Sequence, residues 1–228
     1  LEQLNISDCQ VGDGAMEKLS KLNGDPTSDN FQIWDLSNNG ITTKGINLLS
    51  VRLRNAAFLT KLVTLNLAGN VLGDEGVKQL AKALQSRHSL DSVSTLTHLD
   101  LSNTQCGPQG AIDIIRLGRL KELHLFNNKL GSDGFLALAP TLRGGHSTLE
   151  LLDLGGNGAD QAAVVVLLSA LIEASETAES NVDCGGSLKV LIVGGNESGD
   201  AVEQIVGKIR KQNPSLDIAR DKKQNQRN

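Results

Sequence analysis

Four residues have the types and the spacing for chemistry: His98 with Asp100, and Glu122 with His124, each pair separated by a single residue. Two imidazoles and two carboxylates suit zinc, or a general acid–base pair. Either chemistry needs the four groups to converge on one point, and their surroundings decide whether they can. Both pairs lie inside a Leu-x-x-Leu-x-Leu pattern, Leu96-Leu99-Leu101 and Leu120-Leu123-Leu125. Successive residues of a strand point to opposite faces, so the leucines take the core and the four polar residues share the other face. His98 then lies beside Glu122, and Asp100 beside His124, about 4.8 Å apart as neighbouring strands are. A flat or concave sheet face spreads such groups out. The expectation is a solvated ladder of alternating charge with a modest stabilising effect, rather than a metal site or a catalytic pair.

Other catalytic signatures are missing from the sequence. It contains no Gly-x-x-x-x-Gly-Lys-Ser/Thr, no complete Gly-x-Gly-x-x-Gly, no His-Glu-x-x-His and no Gly-x-Ser-x-Gly. No cofactor is expected, and the reading is of a protein that is not an enzyme. The chain has 228 residues, with Lys+Arg 22 against Asp+Glu 26 and a formal net charge of −4. Without clustered Lys and Arg, nucleic acid is not an expected partner. No apolar run approaches the roughly 18 residues of a membrane span, so no membrane association is expected. Cys9, Cys106 and Cys184 are too few and too scattered for a disulfide framework, which points to a reducing compartment, the cytoplasm or else the nucleus.

The elements that hold the four polar residues belong to a series. The template Leu-x-x-Leu-x-Leu-x-x-Asn fits Leu1-Leu4-Ile6-Cys9, Phe31-Trp34-Leu36-Asn39, Leu62-Leu65-Leu67-Asn70 and Leu96-Leu99-Leu101-Thr104. It fits again at Leu120-Leu123-Leu125-Asn128, Leu149-Leu152-Leu154-Asn157 and Leu188-Leu191-Val193-Asn196. The starts are 30, 31, 34, 24, 29 and 39 residues apart. After each ladder residue comes a helix pattern, clearest at Val77, Leu80 and Leu84, with Asp74 placed to cap it. The pattern recurs at Ile46-Leu49-Leu53, Phe135-Leu138-Leu142 and Val164-Leu167-Leu171. A strand and a helix that cannot bury their apolar sides alone must stack on their neighbours.

In these residues the chain resembles leucine-rich repeat proteins, and its long repeats with Gly-Asp-x-Gly before a helix are similar to the ribonuclease-inhibitor-like subtype. The resemblance implies an α/β solenoid, a right-handed arc or horseshoe with a parallel sheet on the concave face and helices on the convex face. Seven repeats and a partial eighth, built on Asn213–Ile218, would form a domain over residues 1–220, with 221–228 a polar tail. Trp34 and Phe31 take template leucine positions and should be core. Segments 23–30, 85–95 and 173–187 lengthen three units and read as surface loops holding His88 and Cys184, and His146 falls in another. The 24-residue fourth unit should have a curtailed helix. Leu1 begins inside a repeat, leaving an edge strand uncovered, so the chain is expected to be part of a longer protein or a larger complex.

The expected function is protein–protein interaction, as a non-catalytic module or scaffold that binds a partner protein on its concave face. The outward strand positions become apolar towards the C-terminal end, where Phe126, Leu151, Val190 and Ile192 stand among His98, Asp100, Glu122, His124 and Asp153. These nine form the candidate contact surface, with Phe126 as its aromatic anchor. The flanking Gly155 and Gly194 should leave a shallow recess beside Phe126. Three other roles occur among proteins of this kind: an activator of the Ran GTPase, the sensor repeats of a nucleotide-binding immune receptor, and a structural subunit of a ciliary or cytoskeletal assembly. The activators resembled would carry an Arg eight residues after a ladder residue. Here those positions are Glu17, Asn47, Lys78, Ile112, Leu136, Val165 and Gln204.

Overall fold

The structure, a computed structural model, describes residues 2–21, 31–54, 61–85, 95–143, 148–177 and 187–220. His88, His146, Cys184, the tail 221–228 and most of the three expected loops lie outside these residues. Eight three-residue strands form one sheet in chain order, with every neighbouring pair parallel. They are β1 (Gln3–Asn5), β2 (Ile33–Asp35), β3 (Thr64–Asn66), β4 (His98–Asp100), β5 (Glu122–His124), β6 (Leu151–Asp153), β7 (Val190–Ile192) and β8 (Asp217–Ala219). Between them run α1 (Gly12–Ser20), α2 (Thr43–Leu53), α3 (Gly73–Gln85), α4 (Pro108–Ile115), α5 (Gly131–Arg143), α6 (Gln161–Thr177) and α7 (Asp200–Gln212). This is the repeat solenoid expected, its eighth strand included, and the fourth unit's helix is the shortest among the described residues at eight residues.

The middle residue of every strand is an apolar knob. Leu65, Leu99, Leu123, Leu152 and Leu191 are fully buried against the helices, while their strand neighbours are part-exposed for most of the sheet. Trp34 takes the same place in β2 and is 1% exposed. Phe31 departs from the expectation, because it packs only partly buried at the rim of the core. The regular strands end just before the third apolar position of the template. The residue before each ladder position turns left-handed, at Asp8, Asn38, Asn103 and Asn127 and at Gly69, Gly156 and Gly195, with φ between +52 and +73°. Asn, Asp and Gly are the residues that tolerate this region. The second glycine of Gly155-Gly156 and of Gly194-Gly195 therefore serves the turn.

Behind the turn the ladder side chains sew units together. Asn70, fully buried, accepts from Asn39 N (3.1 Å) and Ile41 N (2.9 Å), and donates through Nδ2 to Leu36 O (3.0 Å) and Leu67 O (2.8 Å). Asn39, Asn128, Asn157 and Asn196 repeat the arrangement. Thr104 takes the shorter version, donating its hydroxyl to Leu101 O at 2.7 Å.

Asp74 corrects a sequence expectation. It sits inside the first turn of α3 rather than before it, and it serves the following helix: its Oδ1 accepts from Gly107 N (3.1 Å) and Gly110 N (2.6 Å) at the start of α4. Asp13 of α1 does the same for α2, accepting from Thr42 N (2.8 Å) and Thr42 Oγ1 (2.7 Å). One unit's acid thus satisfies donors that the next helix leaves orphaned. The staple also explains Gly45. A Cβ there would collide with the pinned Asp13 carboxylate and approach Ile41 Cγ2 to 2.7 Å. Gly45→Ala should cost about 1–3 kcal/mol by overpacking. Urea unfolding measures it, and the double variant Asp13→Ala/Gly45→Ala should lose less than the sum of the two single losses.

Candidate partner-binding face

The outward positions of β4 to β7 hold eight of the nine candidate residues, in the register His98↔Glu122↔Leu151↔Val190 and Asp100↔His124↔Asp153↔Ile192, and the ninth, Phe126, follows two residues after β5. His98 Nε2 lies 3.5 Å from Glu122 Oε1, with both side chains about two-fifths exposed at 37% and 43%. His98 Nδ1 also meets Thr97 Oγ1 at 2.8 Å. The second pair differs from the one read in the sequence. Asp100 is aligned with His124, but the imidazole Nδ1 turns to the next strand and lies 3.9 Å from Asp153 Oδ2. Asp153 is only 5% exposed, so it acts on the surface through His124 rather than by its own contact.

The Asp153 carboxylate raises His124 above the ordinary imidazole value; burial opposes this, and Asp100 and Glu122 add to it. The folded state therefore holds the proton more tightly than the unfolded chain. The stabilisation is fully present below the unfolded value, about 6.5, and is lost as the pH rises through the raised folded value. The urea midpoint should climb more steeply in the wild type than in His124→Gln as the pH falls from about 8 to 6. Parallel profiles for the two proteins would refute this.

Several of the carboxylates and amides on this face have a backbone duty that the sequence reading missed. Asn5, Asp35, Asn66, Asp100 and Asp153 each accept, through Oδ1, the N–H two residues on: Ser7, Ser37, Ala68, Ser102 and Gly155. This is the Asx-turn geometry that leads each strand into its left-handed turn. The visible signal was a recurring Asn or Asp two residues before Ser, Ala or Gly. His124 breaks the series, which leaves its ring available to Asp153.

Phe126 is half-buried at the end of β5. The recess expected beside it is occupied by its own ring: a Cβ added to Gly155 would sit 3.1 Å from Phe126 Cδ2, and one on Gly156 3.3 Å from Cε2. The glycines let the ring lie down on the sheet, and Leu151, Val190 and Ile192 are part-exposed on the same face. None of the outward positions of β1 to β8 carries Lys or Arg, whereas Asp35, Asp100, Glu122, Asp153 and Asp217 do lie there. Lys121 and Lys189 stand one residue before β5 and β7, tied to Glu150 at 3.5 and 2.6 Å. Among the described residues no three His, Cys, Asp or Glu side chains gather as a metal ion would need, and no helix is long and apolar enough to cross a membrane.

The match to known proteins follows the same units. The family model described as leucine-rich repeat fits residues 1–20, 28–50, 58–81, 94–114 and 120–139. The chain belongs to the leucine-rich repeat family. Its relatives place it in the ribonuclease-inhibitor-like group. Ribonuclease inhibitor of Mus musculus is 30% identical over 158 residues, covering 69% of this chain and 34% of that protein. That of Sus scrofa is 29% identical over 211 residues, covering 90% and 45%. NACHT, LRR and PYD domains-containing protein 3 of Rattus norvegicus is 29% identical over 155 residues, covering 68% and 14%. The chain thus spans less than half the length of each of these relatives. An internalin of Listeria monocytogenes superposes with a TM-score of 0.46 at 17% identity, covering 95% of this chain and 59% of that one. Leucine-rich repeats of this group are protein-binding scaffolds.

Proposed function

We propose that this leucine-rich repeat chain is a non-catalytic protein-binding module, and that β4 to β7 present the contact surface on the concave face. The observation that carries the reading is the Phe126 ring lying on Gly155 and Gly156, on the face that also holds Leu151, Val190 and Ile192 and, on the preceding strands, Asp100, Glu122 and the two histidines. An apolar centre rimmed by polar groups is the arrangement in which binding energy concentrates. A face with carboxylates and no Lys or Arg favours a partner surface that carries cations around an apolar knob. The likeness to ribonuclease inhibitors, whose name describes action on an enzyme, supports the same reading.

Cross-linking from a photoreactive group placed at Ser102, followed by affinity measurement on the captured partner, tests it. Phe126→Ala should weaken binding by about 1–3 kcal/mol and leave the unfolding midpoint nearly unchanged. Unchanged affinity, or unfolding of the variant, would move the contact to the convex helices. A second reading is favoured by the relatives named NACHT, LRR and PYD domains-containing proteins. In it the same face belongs to the sensor repeats of a larger receptor. Size analysis of the cellular protein distinguishes the two.

A further inference from the structure

Two asparagine rungs of the ladder carry a chemical feature that the others lack. Asn39 and Asn157 are each followed by glycine, whereas Asn70, Asn128 and Asn196 are followed by Val71, Lys129 and Glu197. In an Asn-Gly pair the glycine N can attack the asparagine Cγ, because no side chain stands in its way. The new bond joins that N to Cγ, the Cγ–Nδ2 bond breaks and ammonia leaves. Water then opens the succinimide ring to aspartate or isoaspartate, with no change of oxidation state. The third Asn-Gly pair, Asn23-Gly24, is not a rung and lies outside the described residues.

The restraint on this reaction lies on the carboxamide and not on the attacking nitrogen. Among the described residues neither Gly40 N nor Gly158 N donates a hydrogen bond. Asn39, 2% exposed, accepts through Oδ1 from Cys9 N (3.1 Å) and Val11 N (3.3 Å), and donates through Nδ2 to Ile6 O (2.8 Å), Leu36 O (3.1 Å) and Ser37 O (2.9 Å). Asn157, 3% exposed, accepts from Asn128 N and Leu130 N and donates to Leu125 O, Leu154 O and Gly155 O. Attack would expel the nitrogen that three carbonyl oxygens hold, and hydrolysis would need water in a buried slot, so both wait until the unit opens. The product cannot return to its place. An aspartate sets an acceptor against three acceptors, and an isoaspartate also lengthens the main chain by one carbon.

We propose that Asn39 and Asn157 are deamidation sites that convert when their units unstack, so that an opened ladder is marked covalently and does not close again. The sites lie behind the turns, apart from the outward strand positions of the concave face, and do not depend on the function proposed for that face.

Peptide mass spectrometry of the full chain at neutral pH, with and without urea, tests the proposal. Folded, both asparagines should keep their amides. In urea both should convert at least about tenfold faster than in the folded chain, and about tenfold faster than Asn70, Asn128 and Asn196 in the same sample. The turns supply a variant that separates sequence from fold. Gly40 has φ +67°, and Gln10 and Gln105 already take the same left-handed position after Cys9 and Thr104, with φ of +53 and +61°. Gly40→Gln therefore keeps the turn, and should slow conversion of Asn39 in urea about tenfold while leaving Asn157 unchanged. Asn39→Asp should lower the urea midpoint or prevent folding. Asn38→Asp, the same charge on the exposed neighbour at a position that Asp8 fills in the first unit, should do neither. Conversion in the folded chain as fast as in urea overturns the proposal, because the two N–H groups on Oδ1 would then be acting as an oxyanion hole. Equal conversion of all five asparagines in urea, or equal midpoints for Asn39→Asp and Asn38→Asp, overturns it as well.

Discussion

Asn70→Ala is expected to cost about 3–5 kcal/mol of folding stability, although it removes no apolar atom from the core. The side chain is fully buried and serves two units at once: it takes Asn39 N and Ile41 N from the second unit and supplies Leu36 O and Leu67 O on two strands. Alanine leaves two donors and two acceptors without those bonds, each a loss of about 1–3 kcal/mol unless water reaches it. For a chain of this length the melting point should fall by on the order of 10 °C. Asn66→Ala is the matched control. It lies four residues away, is part-exposed and accepts one bond, from Ala68 N at 3.0 Å, so its loss should stay within about 1 kcal/mol. If the two variants lose the same stability, the ladder contributes nothing beyond an ordinary turn bond.

That contrast marks how far the sequence could be read. Period and residue type placed Asn70 inside and Leu65 in the core, because burying a leucine every second residue of a strand leaves one register. The same logic set the parallel order of the strands and gathered the nine candidate residues on one face. It failed where two side chains choose between partners at similar distance. Alignment put Asp100 opposite His124, but both Asp100 and Asp153 hold a turn N–H through Oδ1, and the imidazole turned to Asp153 on the next strand. It failed again at Asp74, read as the cap of its own helix. A cap pattern identifies an acid near a helix start, whereas which helix receives it depends on how two units stack. The recess beside Phe126 was predicted from the glycines alone, and a side chain long enough to fill it stood two residues past the histidine.

Trp34→Ala should be as costly as the loss of Asn70, about 3–5 kcal/mol, but the damage should be distributed differently. The indole is 1% exposed in β2, paired in register with Leu4 on one side and Leu65 on the other. Arg52 of α2, itself 8% exposed, sets its guanidinium carbon 6.0 Å from the ring centroid. Truncation therefore opens a cavity and takes from a buried cation the aromatic face it rests against, losses that reinforce each other. In a solenoid each unit touches only its neighbours, so a defect in one unit is felt first in the units beside it. Leu4 and Ile6 of the first unit are only half-buried, against full burial of Leu123 and Leu125 in the fifth. Amide exchange in Trp34→Ala should accelerate across β1, α1, β2 and α2 while β5 to β7 keep their protection. Leu152→Ala, in the middle of the stack, should instead speed exchange on both sides of β6. Phe31→Ala, at the half-buried rim, should cost about 1–2 kcal/mol and leave the exchange pattern of β3 onward unaltered. Uniform acceleration in Trp34→Ala would mean that the stack unfolds as one unit. The coupling between neighbouring units would then exceed the whole contribution of the tryptophan, and the Asn39 and Asn70 rungs, which bridge the same units at the C-terminal ends of the strands, would be the bonds that supply it.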